Sequence, residues 1–129
     1  MLEFFMPMKS PPTATHQEKK VNFKTKSFYE PNDVKKARMD FLDGLAPNRP
    51  FKKLKGPMRL TTKWCYPSKD GHSGYRTEKP DCDNMVKLMI DCMAQLNFFD
   101  DDKEISSLII EKFDVKDPPI GIYIKLEEL

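Results

Sequence analysis

The stretch KPDCDNMVKLMIDCMAQLNFFDDDKEISSLIIEKF, residues 79–113, decides the reading of this chain. Within it Met85, Leu88, Met89, Cys92 and Leu96 recur at three- and four-residue steps. That is the period at which an α-helix lays side chains along one buried face. Pro80 precedes this run, and Asp81, an acceptable N-cap residue, stands at its start. On a wheel at about 100° per residue, Asp83, Lys87 and Asp91 fall together on the face opposite the apolar stripe. Three further acids, Asp100, Asp101 and Asp102, follow the helix, with Glu104 beyond. Ile105 to Phe113 then read as a strand of nearly continuous apolar character.

Working outward, Ile120 to Leu126 form a second strand, with Ile120, Ile122, Ile124 and Leu126 as its inward set. The intervening Asp117-Pro118-Pro119 with Gly121 is expected to join the two strands as a C-terminal β-hairpin. Upstream, Met58, Leu60, Thr62 and Trp64 alternate with Arg59, Thr61, Lys63 and Cys65, the pattern of a strand with one face toward a core. Residues 66–79 contain Pro, Gly, Ser, Asp and Lys without period and read as a mobile basic loop. Pro31-Asn32-Asp33 opens a helix through about Leu45, capped by Asn32 or Asp33, with Val34, Ala37, Met39, Phe41 and Leu42 as its apolar stripe. Val21 to Tyr29 are expected to form a small hairpin around Lys24-Thr25-Lys26, and Leu2 to Met6 a short strand. Strands with two main helices interspersed define an α+β fold with a small mixed or antiparallel sheet, and 129 residues form a single domain, 1–129.

Composition narrows the class. The mean hydropathy is −0.64, yet branched apolar and aromatic residues are plentiful, which fits a folded, water-soluble chain. No apolar run reaches the roughly 18 residues of a membrane span, and Met1 to Met8 lack the pattern of a secretory signal, so a cytoplasmic location is expected. Cys65, Cys82 and Cys92 are odd in number, contain no C-x-x-C pair and have no neighbouring histidine, so they are expected to be reduced and packed as small hydrophobes. Charge is divided along the chain: residues 1–79 carry 17 Lys and Arg against 8 Asp and Glu, residues 80–129 only 5 against 12. A basic half suits a polyanion and an acidic half suits cations, although two solvated faces that neutralise one another give the same count.

The acids admit two readings. Asp81 can be a helix cap, and Asp83, Lys87 and Asp91 can be exposed i,i+4 pairs. Alternatively the carboxylates converge on a divalent cation, which offsets the cost of concentrating like charge; magnesium takes oxygen ligands and retains waters for exchange with substrate phosphate. The second reading requires the helix start and the later acidic turn to meet in space. A calcium-binding EF-hand loop is excluded, because Ile105 stands where that loop needs glycine.

The string Lys79 to Lys87, then Asp91, then Phe98-Phe99-Asp100-Asp101-Asp102-Lys103-Glu104, resembles the RusA family of Holliday junction resolvases, with its D-x-D-N-x-x-K motif, helix and aromatic-flanked acidic motif. The resemblance implies metal ligation by Asp81, Asp83 and Asp102, a catalytic role for these and Lys87, and Mg²⁺ as cofactor with Mn²⁺ as substitute. It implies a homodimer that makes paired symmetric cuts in four-way junction DNA, or in other branched DNA, in a bacterial cytoplasm, from a host or a phage gene. Asp100 adds an acid before the usual pair; the resemblance implies Asp102, 21 residues after Asp81 as in the family spacing, with Asp91 and Asp101 expected to support the ligands. Candidate phosphate contacts are Lys19, Lys20, Lys24, Lys69 and Arg76, with Lys26, Lys52, Lys53, Lys55 and Lys63 behind them. Phe98 and Phe99 stand either in the core or as wedges against a base step. His16 and His72 receive no role. The dimer interface is expected on the hydrophobic helix and nearby strands. The rival from another class is a DNA-binding module without catalysis.

Overall fold

A computed structural model describes residues 1–14, 20–22, 27–29 and 31–129, with backbone only for 20–22 and 27–29. Five strands build one mixed sheet: β1 (Leu2–Pro7), β4 (Met58–Pro67), β5 (Gly74–Tyr75), β6 (Ile105–Val115) and β7 (Gly121–Glu128), in the order β1-β7-β4-β6-β5. Strands β2 (Lys20–Asn22) and β3 (Ser27–Tyr29) pair with each other as the expected small hairpin, its turn outside the described residues. Helix α1 (Asn32–Leu45) and helix α2 (Cys82–Gln95) complete the α+β fold.

Strand β4 is the spine. Met58, Leu60, Thr62, Trp64 and Tyr66 alternate inward and are all buried, as the period-two pattern requires. The Trp64 indole N–H donates to the Thr62 hydroxyl at 2.9 Å, which satisfies two polar groups inside the core. Phe41 of α1 meets Trp64 edge-on at 5.9 Å between ring centroids. Seven α2 residues, Met85, Val86, Leu88, Met89, Ile90, Cys92 and Met93, are buried, a wider face than the stripe in the sequence because α2 packs against α1 as well as the sheet. Helix α1 buries Val34, Ala37, Phe41 and Leu45, whereas Met39 faces solvent at 58% exposure. Neither expected cap of α1 forms: Pro31 is the cap residue, and Asn32 and Asp33 already lie within the first turn.

The two C-terminal strands occupy nearly their expected spans but do not form a hairpin. Strand β4 lies between them, parallel to β6 and antiparallel to β7. The connection 116–120 therefore crosses two strand spacings, about 10 Å, which five residues span easily. The reason is energetic. Central placement lets β4 bond along both edges, so the strand with the most regular inward set is covered on both sides. Gly121 opens β7 at φ 144°, and a Cβ there would stand 2.2 Å from the Met6 carbonyl oxygen, so this junction with β1 requires glycine.

The order β4-α2-β6 is a crossover between neighbouring parallel strands, and α2 runs back along the sheet. Its N-terminus lies at the end of the sheet where Lys112 bonds the Pro80 carbonyl at 2.7 Å. The acidic turn that follows α2 lies at the opposite end, where Gly56 bonds Glu104 at 2.9 Å.

Candidate active site

Asp81 stands at the N-cap position of α2 in an extended conformation, and its carbonyl accepts from the backbone N–H of Asn84 and Met85. Its side chain makes no capping hydrogen bond. The carboxylate is thus available for another partner. Asp83 lies in the first turn and Lys87 one turn further, both exposed on the face away from the core. Asp91 lies half-buried on the same line.

The three acids of the second motif have separate roles. Asp100 pairs with Lys53 at 2.8 Å, and that bond holds its carboxyl below the usual carboxylate range. Asp101 accepts from the Lys103 backbone N–H at 3.0 Å and so caps the 3-10 turn Asp102–Glu104; this bond lowers its pKa. Glu104 accepts from Gly56. Asp102 is exposed like its two neighbours and its carboxyl meets that of Asp101. Its pKa is raised, first by hydrogen bonding to the Asp101 carboxyl, then by partial burial and the charges of Asp101 and Asp91. A carboxyl held beside two like charges gains most from a cation.

The expected convergence of Asp81, Asp83 and Asp102 is not found within one chain. Among the described residues no three His, Cys, Asp or Glu side chains lie close enough together to hold a metal ion. The physical reason is the crossover. Asp81 and Asp83 open α2, whereas Asp102 follows its far end and feels the charge of Asp91, two turns past Asp83. One chain therefore presents two carboxylates at one end of the sheet and one at the other.

The segment before α2 is fixed more firmly than an aperiodic loop suggests. Strand β5 pairs with β6 at Asp114 and Phe113. The Arg76 side chain is only 9% exposed: it donates to Asp114 Oδ1 at 2.7 Å and twice to the Lys79 carbonyl, at 3.0 and 2.8 Å, and its guanidinium lies 4.2 Å from the Tyr66 ring centroid. Lys112 closes the same corner through the Glu78 and Pro80 carbonyls. Arg76 thus shapes the approach to Asp81. Lys69 is open to solvent beside Glu78 and lines a cleft of about 670 Å³ with Arg76 and Lys79. Lys20 belongs to β2, whose side chains are not described, and Lys19, Lys24, Lys26 and His16 lie outside the described residues.

Phe98 and Phe99 are fully buried, so both belong to the core. None of the three cysteines forms a disulfide; Cys92 is buried, and its thiol donates to the Arg38 carbonyl at 3.9 Å. No helix among the described residues is long and apolar enough to cross a membrane.

Exposed carboxylates and a lysine at a helix start, with further acids at the following turn, are residue types that metal-dependent phosphodiester cleavage uses. The comparison with protein families agrees in particular: the family described as endodeoxyribonuclease RusA matches residues 9–127 of the 129. The chain belongs to the RusA endodeoxyribonuclease family and is a hydrolase acting on DNA, of a family of Holliday junction resolvases. Nucleases of this kind are generally dependent on a divalent metal. No curated protein matches the chain.

Proposed function

We propose that this protein is a Mg²⁺-dependent, structure-selective endodeoxyribonuclease that resolves four-way DNA junctions by paired symmetric cuts, and that each of its active sites is assembled from two copies of the chain. The observation that carries the second part is the separation of Asp81 and Asp83 from Asp102 to opposite ends of the sheet. Strand β6 supplies the means. Residues 105–110, ISSLII, carry no charge and no proline, and β5 pairs only with residues 113 and 114 beyond them. Leu108 and Ile109 are exposed at 45% and 41%. Edge strands of monomers are ordinarily protected by charge, proline or cover.

Antiparallel pairing of two β6 edges about a two-fold axis near Leu108 reverses one strand against the other. The partner subunit's Asp102 is thereby carried toward the Asp81 end of this chain. The complete set is then Asp81 and Asp83 from one protomer and the partner subunit's Asp102, repeated twice. All three are hard oxygen donors, which suits Mg²⁺, with Mn²⁺ as substitute. The bound ion supplies Lewis acidity and a more acidic water. Lys87, one turn past Asp83, stabilises charge on the phosphate in the transition state. Arg76, Lys112 and β5 hold the Asp81 corner in place. A two-fold pair of sites matches the approximate two-fold symmetry of a four-way junction. The setting proposed for this activity is a bacterial cytoplasm, with the gene from a host or a phage.

Mixing two inactive variants tests the arrangement. Asp83→Asn alone is expected to abolish cutting of a synthetic four-way junction in Mg²⁺ while retaining or tightening binding, and Asp102→Asn alone is expected to abolish cutting. In a mixed dimer one site collects both defects and the other is intact, so nicking of single strands should return. No recovery after verified subunit exchange sinks the shared site. A wild-type protein that binds junctions but never cuts them sinks the nuclease reading.

A further inference from the structure

Phe51 is the most exposed large apolar side chain among the described residues, at 109% relative exposure. It stands in Arg49-Pro50-Phe51-Lys52-Lys53-Leu54-Lys55, four cations within seven residues. Solvent-facing Phe has no folding rationale, and the surrounding charge is not that of a site for an apolar protein partner.

The segment is tied to the second acidic motif. Lys53 pairs with Asp100 at 2.8 Å, Leu54 N–H donates to the Phe98 carbonyl at 2.9 Å, and Gly56 N–H donates to Glu104 at 2.9 Å. These three bonds run alongside Phe98 to Glu104, the stretch that contains Asp102. The ring is therefore carried on a short, anchored, basic segment next to a candidate catalytic carboxylate. Arg49, Lys52 and Lys55 are exposed around it. An aromatic face set among cations is the chemistry that receives an unstacked base while the cations follow its phosphates.

We infer that Phe51 stacks on an unpaired or unstacked base at the branch point of the DNA, with Lys52 beside it on the backbone. The inference rests on the proposal of branched-DNA substrates but not on cleavage, and it makes Phe51 a positioning residue. It replaces Phe98 and Phe99 in that role, since both are buried.

The test uses a four-way junction with 2-aminopurine at the branch point, bound in EDTA so that cutting plays no part. Wild-type binding should change the fluorescence of the probe. Phe51→Ala should weaken binding about five- to fifty-fold and remove the fluorescence change, with the dependence of log Kd on log salt unaltered. Phe51→Trp should restore both. Lys52→Ala should weaken binding and lower the salt slope by about one. Because Phe51 is exposed, thermal midpoints should match throughout. Equal binding and equal fluorescence in Phe51→Ala overturn the inference, as does a wild-type protein that leaves the probe unchanged. Loss of the dimer in sedimentation of Phe51→Ala also overturns it, by assigning the ring to a protein contact. Failure of wild type to cut in Mg²⁺, with these signals intact, counts against the nuclease reading alone.

Discussion

Arg76 has its guanidinium held on three sides, by Asp114, by the Lys79 carbonyl and by the Tyr66 ring. Burial pushes the Tyr66 phenol well above its ordinary range, and the neighbouring guanidinium acts in the opposite direction. Arg76→Ala leaves a half-buried Asp114 and a turn carbonyl without their donor. Unfolding in urea should show a loss of about 2 kcal/mol, at the lower end for a broken partly buried pair because Asp114 is 30% exposed. If Arg76 mainly contacts phosphate, stability will be unchanged and the salt slope of DNA binding will fall instead. Thr62→Val conserves shape but strands the Trp64 N–H, with an expected cost of about 1–3 kcal/mol. Cys65 has its thiol pKa raised by burial, with Lys63 opposing. A raised pKa means less thiolate near pH 8, so alkylation of Cys65 followed by mass spectrometry should be slower than for a small free thiol and should accelerate as pH rises past 9. A rate equal to that of the free thiol would contradict the direction of this shift.

At the scale of elements, α2 and β6 show how differently two apolar stretches can be used. The apolar face of α2 is fully taken up by its own sheet and by α1, so it has nothing left for a subunit interface. Among the described residues, strand β6 is paired on one edge with β4 along its length and on the other with β5 at its C-terminal end alone. A single charge on the open part should separate the protomers. Leu108→Lys places like charges near each other across the proposed axis, at a position already 45% exposed, so the fold should survive. Sedimentation is expected to give the mass of one chain, and junction cutting should disappear with it. A dimer of unchanged mass would move the interface elsewhere.

For the whole molecule, the proposed shared site predicts that metal binding and dimerisation are linked. Titration calorimetry should find a Mn²⁺ site in the wild type that is absent from the Leu108→Lys monomer, although Asp81, Asp83 and Asp102 are all present in that variant. Chelation of the ion should abolish cutting while junction binding persists. Equal Mn²⁺ affinity in the monomer would return the site to a single chain.

Most elements were legible before any coordinates because their signals are local. The 3.6-residue period of Met85 to Cys92 and the period of two in Met58 to Trp64 are direct consequences of backbone geometry, and both elements fall where those periods put them. The candidate acids were equally legible as residue types at a spacing. Which partner each of the three acids takes was not, since it depends on Lys53 reaching Asp100 and on a backbone N–H reaching Asp101. Nor was the insertion of β4 between β6 and β7, or the exposure of Phe51. Local pattern was enough for the helices, most strands, the inward residues and the residue types of the candidate site. Strand order, the direction in which α2 returns along the sheet, and hence the placing of the helix start and the acidic turn at opposite ends of the sheet came from the packing of whole elements. Periodicity is set by neighbours a few residues apart, whereas the meeting of distant groups depends on how completed elements pack, and no local pattern encodes that.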